Sequence, residues 1–497
     1  MGNPLKKLAG QTAIYGLSSI IGRLLNWFLV PIYIGVAKFS TDQYGIVTEM
    51  YAYVAFLVVF LTYGMETAFF RFSSLEEYDK KNVYTTIIRS LLTTSFIFIT
   101  IAFLFDQSIA DWLRYPNNPE FVTWFAIIVG LDAIASIPLA KLRRENKALQ
   151  FATINFINIL VNIGLNLFFL AYCRPLHSAG EGNWIIDLVY NPNIGVGYVF
   201  ISNLVASVIK FMLLIPEMFR GSGQFQRELL GKMFLYALPL LVFGLAGIVN
   251  ETIDRIMLKR ILFNTLGETN TLSQIGIYGA CYKVSIIITL FIQAFRYAAE
   301  PFFFSQEKKV NANETYSLVM TYFIIVCATI FLAVMLFMDF VKYFIPNQEY
   351  WVGLKVVPIL LLANICLGIY YNQSIWYKLS QKTKFGAIIG LFGAILTIGL
   401  NYLWIPKFGY YGSAWATLIC YSSMMIFSFI LSRRYYPIKY DLKRIFIYLF
   451  TAVILWLSSE FLSINSGLLK YLCHGAILLG FIGIVFTLER QKKRVIS

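Results

Sequence analysis

Arg23 stands midway along an apolar segment, 11–36, where an ionised side chain needs a reason to be. An Arg or Asp at the centre of a bilayer costs roughly 2.5 to 3.5 kcal/mol on insertion scales, so a charge there implies a counterion or a wet cavity. Gly16, Ser18, Ser19, Gly22 and Asn26 surround it, a small and polar helix face that suits a cavity wall or a close helix contact. Two readings stay open: an ion pair with Asp132 in a later apolar segment, or a cation facing an anionic ligand. A second cluster, Glu251, Asp254 and Arg255, shares one helical face because residues three and four apart are neighbours on a helix. Glu251 to Arg255 is a favourable internal pair, which leaves Asp254 for a coupling cation, for Lys283 in the next segment, or for a purely structural contact. Glu66, Glu300, Arg296, Lys210, Arg71 and Arg89 lie near segment ends, where long side chains snorkel to the interface. Of these, Glu66, Glu300 and Arg296 are also placed to gate a mouth on that side. His177 and His474 are too few and too far apart for a metal site, and no cofactor motif is present.

The segments that carry these residues define the class. A 497-residue chain that is 58% hydrophobic and 13% charged belongs in lipid. Its net charge of +15 is spread over short connections and not gathered on one folded face, which argues against nucleic acid. At about 20 residues per crossing, fourteen spans are expected: 11–36, 46–70, 85–105, 119–140, 148–172, 194–215, 233–257, 275–300, 316–338, 353–376, 385–405, 412–431, 445–462 and 469–488. The first is read as a retained helix and not as a signal peptide, because no small-residue cleavage site follows it. About 25 Lys and Arg fall on the side of the termini and about 7 on the other, which places both termini in the cytoplasm. Lys259 and Arg260 are counted in that second, outer group, and Cys173 is assigned to an outer loop.

An internal repeat organises the spans. Ile163-Gly164-Leu165-Asn166 returns 235 residues later as Ile398-Gly399-Leu400-Asn401, and Tyr44-Gly45 returns as Tyr278-Gly279, an offset of 234. Spans one to six therefore recur as seven to twelve, with thirteen and fourteen outside the repeat. The expected division is an N-terminal lobe at 1–222, a C-terminal lobe at 223–432 and a helix pair with a tail at 433–497, joined through Gly221-Ser222-Gly223. Repeats in transporters set the substrate site at their interface. No connection is long enough to fold as a soluble catalytic domain.

Tyr15-Gly16 with Arg23 and Pro31, Tyr44-Gly45, Gly64 to Arg71, Asp254-Arg255 and Gly276-Ile277-Tyr278 occur in an order that resembles the multidrug/oligosaccharidyl-lipid/polysaccharide exporter superfamily, and within it the Wzx-like flippases. The resemblance implies an all-α integral membrane protein of two six-helix lobes around a cavity, open alternately to either side of a bacterial inner membrane. Its cargo would be a polyprenyl-diphosphate-linked oligosaccharide, with glycan-assembly proteins as partners and a sodium or proton gradient as the driving force. Planar Arg binds diphosphate well, so Arg23, Arg255 and Lys283 are the expected headgroup contacts. Asp254, Glu251 and Asp132 are the expected ion-coupling or charge-pair groups. A lipid II flippase, a multidrug antiporter and, from another class, a membrane glycosyltransferase or polymerase are the competing readings. Mid-span Arg23 disfavours the antiporter, and the short connections disfavour the enzymes.

Overall fold

The computed structural model describes residues 20–220, 223–307, 311–461 and 467–496. Gly16, Ser18, Ser19 and the Gly221-Ser222 part of the joint lie outside them. Among the described residues there is no strand, and thirteen helices are long and apolar enough to cross a membrane. They are α2 (Thr41–Ser73), α3 (Lys80–Leu104), α4 (Pro119–Arg144), α5 (Ala148–Ala179), α6 (Gly197–Phe219), α7 (Arg227–Leu266) and α8 (Glu268–Phe304). The second set comprises α9 (Ala312–Leu336), α10 (Gln348–Leu379), α11 (Lys384–Phe408), α12 (Tyr410–Tyr435), α13 (Leu442–Glu460) and α14 (Gly467–Arg490). A shorter apolar helix, α1 (Ile20–Val36), stands where the end of the first expected span falls, and the expected beginning at 11 lies outside the described residues.

Local sequence explains the boundaries. Ser40 and Gln43 form a capping box at the start of α2. The Asp79 side chain accepts the Lys81 amide at 2.8 Å to start α3. Pro119 begins α4 at a position that needs no amide donor. Helix α2 is broken at Tyr63 and Gly64, with φ of 33° and 73°, and a side chain at Gly64 would stand 2.9 Å from the Ala237 carbonyl of α7.

Contacts divide the chain into two units, Met1–Gly276 and Ile277–Ser497. In the first, α6 packs on α4 and α5, and α7 packs on α2. Met65, Phe69, Ile87, Leu91, Ile137, Leu142 and Met233 close one end of that bundle. In the second, α12 packs on α10 and α11, while α13 packs on α9 and α14 on both of these. The packing of α4, α5 and α6 thus recurs in α10, α11 and α12. Asn166 and Asn401, both fully buried, each donate Nδ2 to the backbone carbonyl four residues back at 2.8 Å. The tetrapeptide repeat in the sequence is therefore also a repeat of local geometry. Phe96, Phe103, Phe446, Phe450, Leu479 and Phe486 are exposed large apolar side chains, the surface a bilayer requires.

Successive helices reverse direction within each unit, so their connections fall at two ends. In each unit, the connections that follow even-numbered helices carry most of the Lys and Arg and form that unit's basic end; the others form its far end.

Candidate functional site

The far end of the first unit holds a cluster of buried charge. Glu49 lies about two turns into α2 and Lys259 about two turns before the end of α7. Glu49 is 0% exposed and Lys259 1%. Lys259 Nζ is 3.0 Å from Glu49 Oε2, and the Tyr115 hydroxyl donates to the same oxygen at 2.5 Å. Lys259 Nζ also sits 3.3 Å from the centre of the Tyr115 ring. Glu49 Oε1 has no hydrogen-bond partner among the described residues. Tyr115 belongs to the α3–α4 connection; burial, and then the Glu49 carboxylate, push its phenol well above the ordinary tyrosine range, so it stays a donor.

Two further contacts stitch that connection to α7: the Arg260 guanidinium over Trp112 at 4.1 Å, and Arg114 over Phe263 at 4.0 Å. Close backbone approach makes this geometry attainable. A Cβ on Gly45 would lie 2.0 Å from the Leu272 carbonyl oxygen, and one on Gly276 would lie 1.9 Å from that of Thr41. The Thr41 and Ser273 hydroxyls meet beside this crossing at 2.7 Å. The crossing is reciprocal at an offset of 231 residues, three fewer than the Tyr-Gly match in the sequence.

Structure revises several assignments at this end. Lys259 and Arg260, counted as outer-loop cations, lie inside α7, because that helix runs 40 residues and outlasts its apolar stretch. Cys173, expected in a loop, is buried within α5 for the same reason. Sequence reasoning passed over Glu49 and Tyr115 altogether. The signal for Glu49 was a carboxylate just inside the expected second span.

The remaining expected residues distribute as follows. Asp132, in the middle of α4, pairs with Lys210 of α6 at 2.7 Å and accepts from Ser207 at 3.0 Å. Lys210, expected to snorkel, is thus held at a mid-helix carboxylate. Arg23 on α1 is exposed and has no ion pair among the described residues. Arg255 Nη1 binds Asp254 Oδ1 at 2.9 Å and also reaches the Glu251 carbonyl oxygen, while the Glu251 side chain is exposed. The local counterion of Arg255 is therefore its neighbour Asp254 and not Glu251, because the long guanidinium arm folds back along its own helix. Lys283 lies on α8 in the second unit and is half-buried.

At the basic end of each unit an ion pair joins repeat-related positions. Glu66 of α2 pairs with Arg143 of α4, and Glu300 of α8 pairs with Lys378 of α10. The offsets, 234 and 235 residues, are those of the sequence repeat. Both carboxylates are 43% exposed, against 0% for Glu49. Arg296 lies over the Tyr371 ring at 4.1 Å and shares a cleft with Glu300, Asn372 and Lys378. Among the described residues no group of three or more His, Cys, Asp and Glu side chains is arranged to hold a metal.

Residues 39–305, more than half of the chain, match the family described as polysaccharide biosynthesis protein. A protein of the Lsg locus of Haemophilus influenzae is 20% identical over 428 residues, covering 82% of this chain and 95% of that one. Among solved structures, the lipid II flippase MurJ in an inward closed conformation superposes with a TM-score of 0.72 at 14% identity, over 95% of this chain and 98% of that one. An inward-facing multidrug resistance MATE transporter of the MOP superfamily gives 0.64 at 13% identity, over 84% and 97%. These two solved structures are of a flippase and a multidrug transporter.

Proposed function

From the premise that this chain belongs to the polysaccharide biosynthesis protein family, we propose that it is a flippase for a polyprenyl-diphosphate-linked oligosaccharide, moving it from the cytoplasmic to the periplasmic leaflet of a bacterial inner membrane for surface-polysaccharide assembly. The observation that carries this reading is a fold shared with a lipid II flippase over 95% of the chain, in a family concerned with polysaccharide. The basic end is taken as cytoplasmic, following the excess of Lys and Arg there. Alternating access lets the sugar cross in water while the lipid tail remains in the bilayer.

Arg23, Arg255 and Lys283 are the proposed contacts for the diphosphate, since charged side chains on membrane helices are retained for a ligand or a partner. Glu66, Glu300 and Arg296 are proposed as the cytoplasmic gate; an arriving anion competes with Glu66 for Arg143 and with Glu300 for Lys378. A sodium or proton gradient drives the cycle, with Asp254, Glu251 and Asp132 as charge-pair or coupling groups. Glycan-assembly proteins are the expected partners in the membrane.

Reconstitution into liposomes with a labelled polyprenyl-diphosphate oligosaccharide tests the proposal, scored by label reaching the opposite leaflet. Loss of translocation in Arg23→Ala with partial retention in Arg23→Lys is expected. Near-normal activity in both would remove the essential cation. The fold likeness to a lipid II flippase favours lipid II as the second reading, and faster transport of lipid II in the same liposomes would replace the proposed cargo.

A further inference from the structure

Glu49, Lys259 and Tyr115 are absent from the diphosphate contacts and the gate proposed above, yet they form the most deeply buried ion pair among the described residues. Glu49 Oε2 is fully engaged, by the Lys259 ammonium and the Tyr115 hydroxyl. Its other oxygen is buried and makes no hydrogen bond of normal geometry among the described residues, and the same holds for the Tyr53 hydroxyl that interacts with this carboxylate. A carboxylate so placed can take a proton on that oxygen, with the Tyr53 hydroxyl beside it as the acceptor.

We infer that Glu49 is a proton-binding site at the outer end of the second span, and that a proton taken from the outer solution releases a latch between α2 and α7. The inference rests on the reading of a gradient-driven flippase with its basic end in the cytoplasm. With Glu49 ionised, Lys259 is held by charge, and the outer ends of α2 and α7 stay together. Once Oε1 is protonated, the ion-pair attraction is lost and only the Tyr115 ring still faces the buried ammonium, so Lys259 gains by moving to water. That motion parts the two helices.

The groups facing the pair are Tyr53 on the same helix, Tyr115 from the α3–α4 connection, and Arg260 of α7; Glu268, at the start of α8, acts on Lys259 and Tyr115 through space. Tyr115 remains protonated throughout, as its buried phenol requires, and the Arg260 charge is fixed. Glu268 is exposed at the rim, where a proton arriving from outside meets it first. Glu49 is thus the carboxylate whose charge change acts directly on Lys259.

Closure can be read without any cargo. Thr41→Cys with Ser273→Cys replaces the two hydroxyls that touch beside the crossing, and oxidation to a disulfide reports that the outer ends are together. Spheroplasts set the outer pH, and free thiols are counted by mass tag after denaturation. Acid slows thiol oxidation in every background, so the readout is the crosslinking rate relative to the same cysteine pair in Glu49→Gln. A second reference, Glu49→Gln with Lys259→Met, removes both charges and covers the case in which Glu49→Gln alone does not fold.

The expected result is a relative rate that falls as the outer pH is lowered, by up to about tenfold per pH unit, the limit for one proton. Parallel pH dependence in the parent and both references would overturn the proton site. Because the disulfide reports helix closure, a cargo other than lipid-linked sugar would leave this result intact, so the two readings fail separately.

Discussion

The two basic-end ion pairs and the far-end pair differ in burial and in symmetry. Glu66–Arg143 and Glu300–Lys378 occupy matching places in the two copies of the repeat, and all four side chains keep contact with solvent. Glu49–Lys259 is sealed from solvent and has no copy. The sequence offset of 234 carries Glu49 to Lys283, and the offset of 231 at the glycine crossing carries it to Ala280; neither is a carboxylate. Features that recur belong to the helical scaffold that duplication produced. One that does not recur distinguishes the two halves.

Burial implies that the far-end pair is the one that cannot lose a single partner. Lys259→Ala strands a carboxylate without its counterion, which typically costs about 3 to 5 kcal/mol, whereas replacing both members of a buried pair by apolar groups is often near neutral. Thermal unfolding in detergent should therefore show a large drop for Lys259→Ala and a smaller one for Glu49→Leu with Lys259→Met. Equal drops would mean that the pair is not sealed in the way described. Next in size is Gly45→Ala, whose new methyl group would collide with the Leu272 carbonyl and push α2 from α8, an overpacking penalty of about 1 to 3 kcal/mol. Gly276→Ala should match it, since the crossing is reciprocal. Melting temperatures of the two variants check this.

Much of the fold was legible because lipid makes the sequence rule simple: every crossing is an apolar helix, and thirteen of the fourteen expected spans overlap a described helix of sufficient length. The repeat was legible because Asn166 and Asn401 do the same local work in both halves. Helix ends were less legible, since α7 and α8 continue past their apolar stretches into charged residues. That error hid the far-end cluster: Lys259 fell just beyond the expected end of span seven, and Glu49 just inside the start of span two. Helical spacing alone also misassigned the partner of Arg255. Periodicity says which residues share a face, but it does not say where a long, flexible side chain folds. Asp132–Lys210 joins two helices far apart in sequence, and no local pattern announces such a contact.

The repeated pairs predict small and equal effects. Arg143→Ala and Lys378→Ala each remove one partner of a solvent-screened pair, and such pairs contribute about 0.2 to 1 kcal/mol. The two variants should therefore melt within a degree or two of the parent and of each other. A loss in one half several times that in the other would break the symmetry on which the comparison stands. Combining Glu66→Arg with Arg143→Glu should leave stability unchanged, since a half-exposed pair has no fixed direction to its charge.

A third pair separates burial from position. Asp339, just beyond the end of α9, lies at the far end as Glu49 does, but its side chain is 35% exposed, much as those of the basic-end pairs are. Hydrogen bonds from Lys470 at 2.5 Å and Lys342 at 3.0 Å hold its carboxyl below the ordinary aspartate range. A carboxylate with a depressed pKa stabilises the fold above its unfolded value, and that contribution is lost as pH falls through its folded value. Acid should therefore loosen the start of α14 from the end of α9. With solvent screening the expected size is at most about 1 kcal/mol. Asp339→Asn should remove this part of the acid sensitivity, read as the difference in melting temperature between neutral and acid buffer. If Asp339→Asn were instead as damaging as Lys259→Ala, the far end itself and not burial would be what makes a charge pair indispensable, and the contrast drawn from Glu49 would have to be reassigned to location.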